Sequence, residues 1–335
     1  MNCSGWPRWS CASLILTLGA LVVAAEEPGK VTVVADGLDN PTGVCVHPDG
    51  DVFIAARSGV HRLHEGKLTT FANGFNTDIY GKGPKYNIGP LGVACLGSDR
   101  LVVGDGSNLD EAEVVYVFKV TDPGAKPLTP AQALNVLGPI PAGADSAKGE
   151  GNYYGVAVHS TGIFVTCNGD DTKGWVARSA LVDRKPGELK PYIATKVATN
   201  VDAPVGITVS PDGEQLVVGQ MGEINIPADS LLTMYDPATG KLLKMYKTGL
   251  HDIAGLAYSP KTGKLYAVDF AWLDTSQGGL FRLDVSGDEV KATRIATLDR
   301  PTAIAFGKNG DCYVTYGAAD TDSKPNGKVG KISGL

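Results

Sequence analysis

No stretch of this chain concentrates positive charge. Lys and Arg together number 30 against 36 Asp and Glu, and the formal net charge is −6. A nucleic-acid surface announces itself by clustered Lys and Arg, so a nucleic-acid partner is not expected. Large aromatics are scarce, with 8 Phe and 4 Trp in 335 residues. Amphipathic-helix periodicity is missing beyond short segments, which excludes a helical bundle. No C-x-x-C pair, G-x-S-x-G elbow, H-E-x-x-H pair or phosphate-cradling glycine loop occurs. A zinc ribbon, a serine hydrolase, a zincin and a P-loop enzyme therefore all lack their chemistry.

What is abundant is glycine, 43 residues, with 20 prolines scattered among them and no G-X-Y period. With 43% hydrophobic and 20% charged residues the chain affords a packed core, and it reads as a fold full of tight turns. One long apolar run, Leu14 to Ala24, follows Arg8 and precedes the small residues Val23-Ala24-Ala25. This is the layout of a cleaved secretory signal over residues 1–25, too short to span a bilayer comfortably. The expectation is a secreted or periplasmic protein with no membrane span in its mature chain, residues 26–335. Loss of Arg8 then takes the net charge to −7. Cys3 and Cys11 leave with the signal, and Cys45, Cys95, Cys167 and Cys312 remain. Export permits disulfides and four cysteines allow three pairings, but each lies in an apolar strand-like run and is read as a buried free thiol.

The chain repeats one phrase six times. Its fullest form runs from Pro41 through Gly43, His47-Pro-Asp-Gly50 and Val52 to Ala56, and it returns around Gly92, Gly155, Gly206, Gly255 and Ala303. These anchors are 49, 63, 51, 49 and 48 residues apart, the length of a four-stranded propeller blade. Each copy holds a strand, a Pro-Asp-Gly-type turn and a second strand. The anchor glycine suits inner strands that crowd about an axis, where a missing Cβ lets backbones approach. The last copy has room for only three strands, so Val31–Leu38 is expected to complete it and close the ring. The fold class is therefore all-β, a single six-bladed β-propeller with blades beginning near 41, 90, 153, 204, 253 and 301. A Pro-rich insertion at 121–151 is expected on one face, where it would shape a pocket.

The phrase P-x-G-[VI]-x-V-x-P-D-G-x-x-[LV]-x-[VI] resembles the SMP-30/gluconolactonase-like and NHL-repeat propellers. Blade one, Ala35 through Arg62, is also similar to the opening of PQQ-dependent sugar dehydrogenases. The first resemblance implies a divalent cation such as Ca²⁺ over the central hole, held by Glu or Asn before certain anchors and by Asp at the end of a second strand. Before the anchors stand Thr42, Leu91, Tyr154, Val205, Ala254 and Thr302, none of them Glu or Asn. The Asp place is filled at Asp105 and Asp269, the two candidate metal ligands.

Three residues before the anchors the chain reads Asn40, Gly89, Asn152, Ala203, Asp252 and Arg300. At the channel mouth Asn40, Asn152 and Arg300 would bind substrate, while His251 and Asp252 would do acid–base work. Turn geometry alone also favours Asn and Asp at such places. His47 and His159 are read as turn residues, His61 and His64 as surface residues, Asp320–Lys331 as a hairpin loop, and Asn168–Asp171 equally as an exposed turn or an ion-binding loop. Three functions remain open. The first is metal-assisted hydrolysis of a lactone or sugar-derived ester. The second is non-catalytic binding of a small-molecule, glycan or protein ligand at the channel mouth. The third is a quinone-dependent sugar dehydrogenase.

Overall fold

The computed structural model describes residues 1, 29–81, 84–168 and 173–335. The proposed signal segment up to Ala25 lies outside the described residues except for Met1, and so do Gly169–Asp171 of the acidic turn. Strand β1 (Thr32–Leu38) comes first. Blade one is β2 (Gly43–Val46), β3 (Val52–Ala56), β4 (Gly59–His64) and β5 (Lys67–Ala72). A small hairpin, β6 (Asp78–Tyr80) and β7 (Tyr86–Ile88), precedes blade two: β8 (Val93–Leu96), β9 (Arg100–Gly104), β10 (Val115–Lys119) and β11 (Asn135–Leu137). Blade three is β12 (Val156–His159), β13 (Gly162–Thr166), β14 (Trp175–Val182) and β15 (Lys185–Ala194). Blade four is β16 (Pro204–Val209), β17 (Leu216–Gln220), β18 (Leu231–Tyr235) and β19 (Leu242–Lys247). Blade five is β20 (Ile253–Tyr258), β21 (Leu265–Asp269), β22 (Gly279–Ser286) and β23 (Glu289–Thr297), and blade six contributes β24 (Ala303–Phe306), β25 (Cys312–Tyr316) and β26 (Gly327–Ile332).

The sixth sheet has the order β1-β26-β25-β24, so the N-terminal strand closes the ring as the sequence predicts. Its pairing runs from Thr32 opposite Lys331 to Leu38 opposite Gly327. Successive inner strands touch around the axis, β2 against β8, then β12, β16, β20, β24 and back to β2. Helix is confined to one short turn, Thr195–Thr199, and two three-residue 3₁₀ turns among the described residues. No helix among them is long and apolar enough to cross a membrane.

The core is six slabs, one in each seam between blades. Phe53 and Leu101 fill the seam of blades one and two, Phe164 and Leu216 that of three and four. Ile54 points the other way, with Val329, into the seam that closes the ring. Second strands therefore bury both faces, which is why β3, β13, β17 and β21 are buried throughout and read as unbroken apolar runs.

Three of the anchor glycines occupy very tight contacts. A Cβ on Gly43 would stand 2.3 Å from the Leu91 carbonyl oxygen, one on Gly92 2.4 Å from that of Tyr154, and one on Gly155 2.2 Å from that of Val205. Each neighbouring atom is backbone of the next blade and cannot swing away.

One expectation needs adjustment. The 121–151 insertion carries the 3₁₀ turn Pro130–Gln132 and the outer strand of blade two, β11. The extra element that reaches the mouth is instead the β6–β7 hairpin, hidden in a repeat of ordinary length. Arg62, on the same strand as His61 and His64, is buried, and Asp51 accepts from it while also pairing with His64 at 2.7 Å. His47 does sit in the β2–β3 turn, accepting from Gly50 N through its carbonyl, and Asp320–Asn326 lies in the connection between β25 and β26.

Replacing Gly155 by Ala should lower the unfolding free energy by about 3 kcal/mol in urea denaturation, since the atom nearest the added methyl is a backbone carbonyl oxygen that no rotamer change moves. The same change at Gly187, whose Cβ would meet only a carbonyl oxygen at 3.4 Å, should cost much less. Equal losses at the two positions would show that the axial contact is not the constraint.

Candidate functional site

At the end of the channel where the chain enters the inner strands lies a cup with about 740 Å³ of empty space, part of it open to solvent. All six residues that directly precede the anchors, Thr42, Leu91, Tyr154, Val205, Ala254 and Thr302, line it. They form the floor because each is the last residue before its strand dives toward the axis. Tyr154 of blade three reaches across to blade six on the opposite side, where its hydroxyl donates to the Thr302 carbonyl at 3.0 Å. The phenol thus bridges the place where the family resemblance implies a metal. The floor hydroxyls turn to backbone: Thr42 Oγ1 donates to Leu91 O at 3.1 Å, and Thr302 Oγ1 to Pro41 O at 2.6 Å.

Aromatic side chains build the walls. Trp272 and Phe270 stack with centroids 5.0 Å apart, and Tyr86 meets Trp272 edge-on at 5.2 Å. Tyr80 approaches Trp272 edge-on at 6.3 Å. Below the cup the channel narrows to a neck lined by Val44, Val93, Val156, Ile207, Leu256 and Ile304, each directly after its anchor. Cup and neck together are an apolar passage. Beside the cup, and sharing Tyr80, Asn152, Asn168, Met221 and Trp272 with it, opens a polar vestibule that also holds Asp110, Lys196, Asp202 and Glu223. Lys196 Nζ is paired with Asp202 at 2.6 Å.

The candidate residues fall into three groups. Asn40 and Asn152 line the cup. Both have positive φ, +45° and +49°, as do Ala203 and Arg300 at the same repeat position, so a left-handed turn is one reason Asn stands there. Asn40 is fully used, donating to Asn87 O at 3.0 Å and accepting from Ala319 N at 2.7 Å. Arg300 does not line the cup; it pairs with Asp299 at 2.6 Å behind Tyr86.

His251, Asp252 and Asp269 come together in blade five, but behind the cup wall. Asp269 accepts from the backbone N–H groups of His251 at 3.0 Å, Asp252 at 2.7 Å and Ala271 at 3.2 Å. Asp252 accepts from Trp272 N at 2.6 Å, and its carbonyl accepts from Phe270 N at 2.9 Å. The two carboxylates therefore hold the turn that presents Phe270 and Trp272. His251 Nδ1 accepts from Ala228 N at 2.9 Å. Burial pushes Asp252 up to about 6, against the lowering effect of the Trp272 N–H and with a further push from Asp269.

Asp105 plays the matching part in blade two, on the opposite side of the ring from Asp269 in blade five. Its Oδ1 accepts from Gly106 N at 3.0 Å and Ser107 Oγ at 2.7 Å, and its Oδ2 from Asn108 at 2.6 Å. Glu113, wholly buried, accepts from Asn108 N at 3.2 Å and from Asn152 N. Burial raises it to about 8 despite those two N–H groups. Among the described residues no three His, Cys, Asp or Glu side chains converge as a metal set. The donor oxygens of Asp105 and Asp269 already face backbone and side-chain donors, so a divalent ion does not fit the pair.

The repeat pattern contained the cup floor all along, one residue before each anchor. It carried no sign of Tyr80, Tyr86 or Trp272, which reach the mouth from a hairpin and a loop outside the repeat.

No protein-family model and no curated protein sequence matches this chain. Solved propellers resemble it in fold. An oxidoreductase described as a glucose dehydrogenase from Thermus thermophilus aligns over 91% of this chain and 99% of its own, with 18% identity and a TM-score of 0.60. A second glucose dehydrogenase gives 17% identity over 91% of this chain and 99% of its own, TM-score 0.60. A luciferin-regenerating enzyme gives 13% identity over 92% of this chain and 96% of its own, TM-score 0.60.

Replacing Asp269 by Ala strands three inward backbone donors and should cost about 2–4 kcal/mol of stability, read by denaturation followed through tryptophan fluorescence. The carboxyls of Asp252 and Glu113 are both raised, so the folded chain holds their protons more tightly than the unfolded chain. Their contribution is complete below the ordinary carboxyl range and is lost as pH rises through about 6 and about 8. Stability should therefore fall between pH 5 and 8 in the wild type (~5–8 being the interval those values span), and Glu113→Gln should flatten the upper part of that slope. An unchanged slope in the variant would remove Glu113 as its source.

Proposed function

We propose that this propeller is a non-catalytic binding protein for a small, ring-bearing ligand seated in the aromatic cup. The observation that carries the reading is the wall chemistry: among the described residues, five aromatic side chains, Tyr80, Tyr86, Tyr154, Phe270 and Trp272, and no Asp, Glu, His, Lys or Arg. Ligand sites are typically concave and mostly apolar, with a few polar groups to fix orientation. The indole Nε1–H of Trp272 is shielded from solvent and has no acceptor among the described residues; were the ring to turn toward the cup, a carbonyl or ether oxygen on the ligand would supply one.

The vestibule sets the character of the ligand's outer end. Among the described residues Asp110, Asp202 and Glu223 outnumber Lys196 there, which disfavours an anionic group and accepts a neutral or cationic one. Hydrolysis of a lactone would require an acid–base group on the cup wall, and a quinone cofactor with several carboxylates would require basic residues there. The wall offers neither among the described residues. A secreted or periplasmic setting, carried by the segment before Glu26, would suit such a binder.

Calorimetric titration with acetophenone, a neutral ring bearing a carbonyl, should give saturable one-to-one binding, with benzoate at least about tenfold weaker. Trp272→Ala should weaken acetophenone binding by about tenfold or more. Absence of saturation by acetophenone would sink the aromatic-cup reading. In the EDTA-treated protein Ca²⁺, Mn²⁺ and Zn²⁺ should leave the unfolding midpoint in place. A rise of about 5 °C at saturating ion, together with turnover of δ-gluconolactone, would restore the hydrolase.

A further inference from the structure

Cys45 and Cys95 lie on the adjacent inner strands β2 and β8, and their sulfurs are 3.6 Å apart. That is van der Waals contact between two thiols that are 50 residues apart in sequence. Both side chains line the opposite mouth of the channel, at the hairpin-turn end of the blades and away from the aromatic cup. Their burial differs: Cys45 is buried and Cys95 is partly exposed. The other two cysteines have no such neighbour. Cys167 is buried in the seam of blades two and three and Cys312 in that of five and six.

We propose that Cys45 and Cys95 form an oxidisable dithiol, a site at which a disulfide staples blade one to blade two. Of the three pairings that four cysteines allow, the fold leaves only this bond, with Cys167 and Cys312 remaining thiols. The reaction needs a disulfide oxidant such as glutathione disulfide. The Cys95 thiolate, reached from the channel mouth, attacks one glutathione sulfur and releases the other as a glutathione thiol. Cys45 then loses its proton and attacks the Cys95 sulfur of the mixed disulfide, expelling the second glutathione. Two electrons and two protons leave the pair, and one disulfide becomes two thiols. Burial raises the Cys45 thiol well above its ordinary value, so the second step is the slower one. The bond would enclose β3, β4, β5 and the β6–β7 hairpin within its loop. That limits the unfolded chain far more than the folded one.

The test is incubation of the native full-length chain with glutathione disulfide, alkylation of remaining thiols, and peptide mapping by mass spectrometry. The expected product joins tryptic peptides 31–57 and 86–100 through a disulfide, with Cys167 and Cys312 alkylated only after unfolding. Cys45→Ser should accumulate the glutathione adduct on Cys95, and Cys95→Ser should leave Cys45 unmodified over the same time. The oxidised wild type should melt several degrees higher than the reduced form, and a reductant should reverse the shift. A stable glutathione adduct on wild-type Cys95, or a bond from Cys45 to any other cysteine, would overturn the proposal. So would two unreacted thiols under these conditions.

Discussion

Around the axis of this molecule the inner strands stand so close that, from Gly43, Gly92 and Gly155, a Cβ would run into a carbonyl of the next blade. Everything else is arranged about that approach. Because the nearest atom to Gly43, Gly92 and Gly155 is in each case a backbone carbonyl oxygen, the spacing cannot relax by a rotamer change alone. The tight axis fixes the angle between neighbouring sheets, and the seams between them become the core. Those seams need side chains on both faces of every second strand, so the strands carry unbroken apolar runs. The ring is closed by β1 joining the last sheet, which leaves no unpaired edge between the last blade and the first.

The same geometry decides what the channel can be. Residues one after the anchors point into it, and all six are Val, Ile or Leu. Residues one before the anchors floor the cup, and there Tyr154 reaches across to the opposite blade. A passage so lined is a poor place for a hard cation, which wants several oxygens at close range. It is a favourable place for an apolar ring. The acidic residues near the mouth are mostly employed in holding loops, each carboxylate gathering backbone N–H groups that would otherwise be left without partners.

Asp252 and Asp269 illustrate how a carboxylate that looks catalytic in sequence serves a different end. Their position at the start and end of neighbouring strands is where chemistry is often found. Here each one grips the turn that carries Phe270 and Trp272, and so they support the cup from behind. The chemical character of Asp252 still matters: its buried carboxyl, with a raised pKa, makes that support sensitive to pH.

By itself the sequence determined the six blades, their order, the closing strand and the glycine anchors. These all follow from a local phrase repeated at a regular spacing, and close packing about an axis imposes that phrase on every copy alike. The floor of the cup was legible too, as the column before the anchors, although its residue types gave no hint that Tyr154 would span the channel. The tertiary structure alone decided the walls. Tyr80 and Tyr86 come from a hairpin that breaks no spacing, and Trp272 from a loop after β21, and neither segment shares the repeat pattern. Only the fold likewise brings Cys45 and Cys95 into contact. Their sequence positions differ relative to their own anchors, so nothing local relates them until two blades are packed side by side.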